Sequence, residues 1–136
     1  MMTSEKKTSP LLVTAAIIEK QGHFLITQRL ANKPHPLMWE FPGGKMEAGE
    51  SPQQALQREL LEELEIEITA DTIFDVIYHR YDWGPVLILA YRCKWISGEI
   101  KHLEVADHCW ATATELNALP FLPADGPLIQ RLELEA

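Results

Sequence analysis

Alternating and continuous hydrophobic stretches predict strands along most of the chain. Leu11–Glu19 and His23–Arg29 are rich in β-branched and apolar residues, and Lys20-Gln21-Gly22 between them is typical of a turn, so we expect a hairpin. Val86–Tyr91 is continuously apolar, which is typical of a strand buried on both faces. The predicted strands after the middle of the chain are Ile66–Thr69, Thr72–His79 and Val86–Trp95.

Helical periodicity begins at Ser51. Ser51 suits an N-cap, Pro52 the first helical position, and Gln54 has the spacing of a capping box. We expect Pro42-Gly43-Gly44, just before, to stop any regular element. Apolar residues then recur at helical intervals: Ala55, Leu56, Leu60 and Leu64.

The remaining third of the chain predicts a loop and two helices. The loop covers Ile96–Asp107, one helix lies around Glu115–Leu119, and the last runs from Asp125 through Leu134. This order of elements indicates an α/β fold, a mixed sheet with helices packed on it. Without repeats or linkers, we expect one domain over residues 10–136, preceded by a flexible polar arm at residues 1–9.

Charge and hydropathy exclude several classes of protein. With 12 Lys and Arg against 20 Asp and Glu in 136 residues, the net charge is −8, which argues against polymeric nucleic acid as a partner. A small phosphorylated ligand that arrives with divalent cations stays compatible. The apolar run Leu11–Ile18 is far shorter than a membrane span. We therefore expect a cytoplasmic protein.

The cysteines and histidines show no metal-ligand spacing. Cys93 and Cys109 form no CxxC pattern, and we expect buried thiols in a reducing compartment. Four histidines are likewise expected at the surface or in ordinary hydrogen bonds: His35, His79, His102 and His108.

Three carboxylates share one stripe of the predicted long helix. Glu59, Glu62 and Glu63 are related by i+3 and i+4, beside the leucine stripe. Their repulsion would be relieved by a divalent cation, and oxygen ligands favour Mg²⁺, Mn²⁺ or Ca²⁺ over zinc. Gly43-Gly44 permits close backbone approach to a ligand, and Lys45 adds a positive charge. The segment predicts metal-assisted chemistry on a phosphoanhydride. The alternative is a solvent-exposed glutamate-rich helix face.

The spacing of this segment closely resembles the signature of the Nudix hydrolases, Gly-x5-Glu-x7-Arg-Glu-U-x-Glu-Glu-x-Gly-U, where U is aliphatic. The departure is Glu65, where the family usually has a glycine that ends the helix. The resemblance implies the Nudix fold, an α/β/α sandwich with a mixed β-sheet. The matching residues are Gly44, Glu50, Arg58-Glu59-Leu60, Glu62-Glu63 and Ile66.

The resemblance also implies roles. Glu59, Glu62 and Glu63 would bind Mg²⁺, or Mn²⁺ in its place, and Gly44 would lend a backbone carbonyl. Arg58 would orient a glutamate, the alternative being an ordinary surface ion pair. Supporting positions would be Gly43 and Glu50.

Beyond the signature, the chain is similar to the MutT-type nucleoside triphosphate pyrophosphohydrolases. Trp39–Lys45 matches their lead-in, and Gly98-Glu99 followed by Glu104 matches a loop whose glutamate reaches the metals and acts as base. The alternative for Glu104 is an exposed loop acid. Arg29 stands near the nucleotide in this group, or is a solvent-facing strand end.

Two residues are candidates for contacting the base, Asp125 and Phe41. Asp125 stands where this group uses an Asn to read oxidised guanine. Ionised Asp only accepts hydrogen bonds, from N7–H of 8-oxoguanine or from the amine of cytosine. It suits equally an N-cap of the last helix. Phe41 would stack on the base, or belongs to the core.

The favoured hypothesis is a Mg²⁺-dependent hydrolase that converts a nucleoside triphosphate, 8-oxo-dGTP above all, to monophosphate and pyrophosphate. A second hypothesis changes the base to cytosine, as in CTP or dCTP. A third is a non-catalytic Nudix-fold sensor, which predicts lost metal carboxylates, whereas all three are present. The sequence leaves monomer and homodimer open.

Overall fold

The computed structural model describes residues 9–136, so residues 1–8 of the predicted N-terminal arm lie outside the described part. The strands are β1 Leu11–Ile17, β2 Glu19–Lys20, β3 His23–Gln28, β4 Trp39–Glu40, β5 Gly43–Lys45, β6 Glu67–Tyr81, β7 Gly84–Ser97 and β8 Asp107–Ala111. The helices are α1 Pro52–Leu64, α2 Ala113–Leu116 and α3 Gly126–Glu135, the last preceded by a 3-10 turn at Pro123–Asp125. Within residues 9–136, no helix has the length and hydrophobicity needed to cross a membrane.

The strands form two sheets. The first has the order β5-β1-β7-β6, with β1 and β7 parallel and the outer strands antiparallel. In the second, antiparallel sheet, β3 pairs with β2, β4 and β8. This confirms the predicted α/β class with a mixed sheet.

The first sheet is covered by helices on both faces. Ala15 and Ile17 of β1 belong to the core cluster that includes Leu128 of α3. Ala16, one residue along, belongs to the cluster that includes Leu60 of α1. Because successive side chains of a strand point to opposite faces, α1 and α3 lie on opposite sides of β1. The predicted α/β/α sandwich is confirmed.

The predicted first hairpin is only partly right. β2 and β3 do pair across a two-residue turn at Gln21 and Gly22. β1, however, belongs to the other sheet, where it pairs with β5 and β7. The chain passes between the sheets at Ile18, whose carbonyl accepts a hydrogen bond from Leu25 N–H at 3.0 Å.

The glycine pair forms a strand, against our prediction that it stops regular structure. Gly43, Gly44 and Lys45 pair with Ala15, Thr14 and Val13 of β1, in that order. A Cβ on Gly43 would lie 2.1 Å from the Thr14 carbonyl oxygen, and its φ is +152°. The glycine therefore permits an unusually close approach of β5 to β1.

Two further strand predictions need correction. β6 is one strand rather than two, and bulges between Ala70 and Thr72 and between Ile73 and Asp75 absorb the break in the pattern. In β7, Val86, Ile88 and Ala90 are buried, whereas the alternate residues are half-buried, so burial on both faces is incomplete.

The long helix begins at the predicted residue. The sequence had left its C-terminal end open, because Glu65 stands where the signature usually has a glycine. Ser51 is the N-cap, with both hydrogen bonds of the capping box to Gln54. Glu65 caps the C-terminus in the left-handed conformation, φ +57°, and donates its N–H to the Leu61 carbonyl. Glutamate thus takes the conformation that usually favours glycine, and the helix boundary is kept.

The cysteines are unpaired, as expected, but half-buried rather than fully buried. Burial raises the pKa of Cys93 to about 12 and also raises the pKa of Cys109. Both thiols are therefore protonated at neutral pH.

Replacing Gly43 by Ala should destabilise the protein by about 1–3 kcal/mol, because the new methyl group would overlap the Thr14 carbonyl. Urea unfolding measures this. Gly126→Ala is the matched control, since a Cβ there meets nothing within 4 Å and the residue is helical. Equal stabilities of the two variants would contradict the close packing of β5 on β1.

Candidate active site

Helix α1 places three glutamates beside β5. Leu56, Leu60 and Leu64 are fully buried and hold one side of the helix against the sheet. A Cβ built on Gly44 would lie only 2.0 Å from Glu59 Oε2, so this carboxylate rests directly against the Gly44 backbone. The Gly44 carbonyl also accepts a hydrogen bond from Thr14 Oγ1 at 3.1 Å. Thr14 is buried and was not singled out from the sequence.

Arg58 is the hydrogen-bonding centre of the cluster. Its Nε donates to Glu50 Oε2 at 2.6 Å, and its Nη1 lies 3.1 Å from both Glu59 Oε1 and Glu62 Oε1. Nη2 donates to the Lys45 carbonyl at 3.0 Å, which joins α1 to β5. These hydrogen bonds hold the pKa of Glu50 below its usual range. The geometry is that of a residue that orients glutamates rather than an isolated surface pair.

Glu63 and Glu59 carry negative charge that the protein does not fully compensate. Burial raises the pKa of Glu63 well above its usual range, and the charges of Glu59, Glu40 and Glu104 raise it further. Burial likewise raises the pKa of Glu59, although Arg58 acts against this. Within residues 9–136, Glu63 forms no ion pair.

The loop at residues 98–106 brings Glu104 close to Glu59 and Glu63. Leu103 N–H and Glu104 N–H both donate to the Glu63 carbonyl, at 3.0 and 3.3 Å, and Lys101 N–H donates to the Leu64 carbonyl at 2.9 Å. The loop therefore closes over the C-terminal end of α1. The Glu104 side chain is exposed, yet its charge contributes to the raised pKa values of Glu59 and Glu63.

Sequence reasoning missed Glu40. This residue of β4 is bonded to Arg29, whose Nη1 lies 3.2 Å from Glu40 Oε1, and burial raises the pKa of Glu40 to about 7 despite that contact. Arg29 also donates from Nε to the Pro34 carbonyl at 2.7 Å, so it is not a free strand end. The signal available in the sequence was a lone acid between two aromatic residues, Trp39 and Phe41.

Asp125 is buried, only 5% exposed, and Oδ2 accepts the Phe41 N–H at 3.1 Å. Burial raises its pKa to about 7, with a further contribution from the charge of Glu40. Asp125 occupies the N-cap position of α3, as the alternative predicted, but its side chain makes no capping hydrogen bond.

The two remaining predicted residues differ in accessibility. The Phe41 ring is 3% exposed and packs on Phe121 with ring centroids 5.3 Å apart, which matches the core alternative. In this structure the ring has no free face on which a base could stack. Lys45 has an exposed side chain beside the glutamates.

The donor set fits a hard divalent cation. Glu59, Glu62, Glu63 and Glu104 offer only oxygen, together with the adjacent Gly44 carbonyl, as Mg²⁺ and Mn²⁺ prefer. Burial, and after it the charges of neighbouring glutamates, raise the pKa values of Glu59 and Glu63, and a bound cation would favour their ionised forms. Arg58 supplies one positive charge to several carboxylates, which is too little to balance them.

Comparison with known proteins identifies the family. Residues 8–132 match the NUDIX domain model. The chain is 39% identical over 119 residues to the CTP pyrophosphohydrolase of Escherichia coli K12, covering 87% of each chain. It is 37% identical over 122 residues to the 8-oxo-dGTP diphosphatase of Haemophilus influenzae, covering 88% of this chain and 89% of that protein.

The solved structures agree. The solution structure of the E. coli ORF135 protein superposes with a TM-score of 0.84 at 35% identity, covering 95% of this chain and 93% of that one. Together with the acidic cluster on α1, these matches show that the chain belongs to the Nudix hydrolase family and is an enzyme that hydrolyses phosphoric anhydrides.

Proposed function

We propose that the protein is a Mg²⁺-dependent nucleoside triphosphate pyrophosphohydrolase, with Mn²⁺ able to replace Mg²⁺. The observation that carries this proposal is the set of carboxylates on α1, which share a single arginine, with Glu104 brought beside them. When bound, the metal would supply charge neutralisation on the phosphates and activation of water. Glu59, Glu62, Glu63 and Glu104 would hold it.

The protein's own residues would prepare the reaction. Arg58 keeps Glu59 and Glu62 oriented, so their oxygens need little reorganisation when substrate arrives. Glu104 is the proposed general base and takes a proton from the attacking water. The water oxygen bonds to one phosphorus of the α–β anhydride, and the bridging oxygen leaves with the other. The products are a monophosphate and pyrophosphate.

For the base, we propose 8-oxo-dGTP as the main substrate, consistent with relatives named 8-oxo-dGTP diphosphatase. A pKa of about 7 leaves part of Asp125 protonated at neutral pH, so the residue can both donate and accept. If substrate binding opens access to this carboxyl, which is 5% exposed in this structure, Asp125 could accept from N7–H and donate to O6 of 8-oxoguanine. Two charged residues are close to Asp125: Glu40, whose charge adds to the raised pKa of Asp125, and Arg29, which pairs with Glu40.

The second candidate is CTP or dCTP. A relative named CTP pyrophosphohydrolase is 39% identical. Cytosine presents an amine donor beside a ring acceptor, and Asp125 could pair with both in the same way.

We also propose that the enzyme works in the cytoplasm on free nucleotides, as a monomer or homodimer, rather than on polymeric nucleic acid. The unpaired thiols and the net charge of −8 support this.

With Mg²⁺, the protein should convert 8-oxo-dGTP to 8-oxo-dGMP and pyrophosphate with a kcat/KM at least tenfold above that for dGTP. Product identification by chromatography across dNTPs, CTP, nucleotide sugars and dinucleoside polyphosphates measures this. A tenfold preference for CTP or dCTP would select the second candidate. Absence of turnover on every triphosphate would show the proposed function to be wrong.

Glu63→Gln should lower kcat/KM by about 10²–10³-fold, because an amide neither carries the charge nor binds Mg²⁺ as a carboxylate does. Glu133→Gln, an exposed change on α3, is the matched control and should leave kinetics unchanged. Chelation of Mg²⁺ should abolish activity in both the wild type and the control. Retained turnover and metal dependence in Glu63→Gln would contradict the metal site.

Asp125→Asn tests the buried carboxyl. Because its pKa rises from 3.8 to about 7 on folding, wild-type stability should fall as pH increases between about 4 and 7, where the folded protein still holds a proton that the unfolded chain has released. The Asn variant should lack this part of the decline and be more stable at pH 8. Urea unfolding at pH 5 and pH 8 measures it.

The same variant bears on recognition, since Asn donates and accepts at every pH. Its kcat/KM for 8-oxo-dGTP should be within about tenfold of wild type at pH 8, whereas Asp125→Ala should lose more. Identical kinetics in Asp125→Ala would remove Asp125 from base recognition.

A further inference from the structure

Two histidines and an aspartate meet on the surface although their sequence spacing suggested no site. His102 Nε2 lies 2.7 Å from His108 Nδ1, and 3.8 Å from Asp107 Oδ1. One ligand atom from each residue lies within 4.8 Å of the others. The expectation that these histidines lie at the surface in hydrogen bonds is confirmed, and the fold in addition brings together donors that are six positions apart in sequence.

The two sides of this cluster are held by different parts of the fold. His108 and Asp107 belong to β8, which pairs with Thr27 and Gln28 of β3. Asp107 Oδ1 accepts the His108 N–H at 2.8 Å, which limits the movement of the carboxylate. His102 lies on the 98–106 loop, whose backbone is bonded at residues 101 and 103 to the end of α1. The donors are thus positioned before any ligand binds.

The chemistry of the donors differs from that of the acidic cluster. Two imidazole nitrogens and one carboxylate oxygen suit Zn²⁺ and its neighbours in the transition series, whereas Mg²⁺ prefers oxygen alone. At Zn–N distances of about 2.0–2.1 Å, tetrahedral geometry separates two nitrogens by roughly 3.3 Å. The present separation of 2.7 Å is that of an N–H···N hydrogen bond. A small opening of the pair would admit the ion, if the bridging hydrogen moves to the other nitrogen of its own ring so that each facing nitrogen has a free lone pair.

We propose that His102, Asp107 and His108 form a Zn²⁺ site, separate from the carboxylate site of α1. The partial exposure of the three side chains leaves water as the fourth ligand. The bound ion would join the 98–106 loop to β8.

The test is a calorimetric titration of the full-length, untagged protein with Zn²⁺ in the presence of excess Mg²⁺. We expect one saturable Zn²⁺ site per chain that Mg²⁺ does not displace. Long-range ¹H–¹⁵N spectra should show the ring nitrogens of His102 and His108 shifting on Zn²⁺ addition, while those of His35 and His79 stay unchanged. Zn²⁺ that binds only when Mg²⁺ is absent would overturn the proposal.

Variants separate the two metal sites. His102→Gln and His108→Gln should each weaken Zn²⁺ binding at least tenfold, whereas His35→Gln and His79→Gln should bind as wild type does. Glu63→Gln should retain the Zn²⁺ site, so failure of the proposed hydrolase function would leave this test intact. His102 is exposed, so its variant should fold, which circular dichroism checks. Equal Zn²⁺ affinity in wild type and both cluster variants would show that His102 and His108 form only a hydrogen bond with each other and do not bind Zn²⁺.

Discussion

The active site depends on the close approach of a glycine backbone to its neighbours on two sides. Gly43 lies against the Thr14 carbonyl of β1, and Gly44 lies against the Glu59 carboxylate of α1, in both cases closer than any side chain would allow. This double contact brings strand and helix together. Arg58 reinforces it by bonding the Lys45 carbonyl across the same junction. Glu59 thus lies against the Gly44 backbone, whereas the Glu62 side chain remains exposed.

The second constraint is electrostatic. Several acidic residues lie partly buried around the end of α1 and along β4. Burial is the largest cause of the raised pKa values of Glu63, Glu40 and Asp125. Arg58 and Arg29 each neutralise part of this charge, Arg58 beside Glu50 and Arg29 beside Glu40. In the proposed function, these carboxylates bind the cation that accompanies the nucleotide. The net charge of −8 is therefore in part a feature of the site.

Much of the site was predictable because it is local. Glu59, Glu62 and Glu63 share a helix face through their spacing alone, and the capping box at Ser51 sets where that helix begins. Glu40 was not predictable in the same way, since its neighbours Glu63 and Asp125 are distant in sequence. β5 was missed because a glycine pair usually indicates the end of a regular element. Here the neighbouring strand β1 approaches so closely that only glycine fits.

The sequence by itself determined the α/β class and the placing of three glutamates on one helix face, which follow from short-range periodicity, and its resemblance to the Nudix signature indicated the family. Tertiary structure decided which distant groups share an environment. It buried Asp125 against the Phe41 N–H, carried Glu104 to the end of α1, and joined His102 to His108. The physical reason is that burial and charge coupling depend on distances in space, which strand pairing and loop closure set and which sequence separation does not reveal.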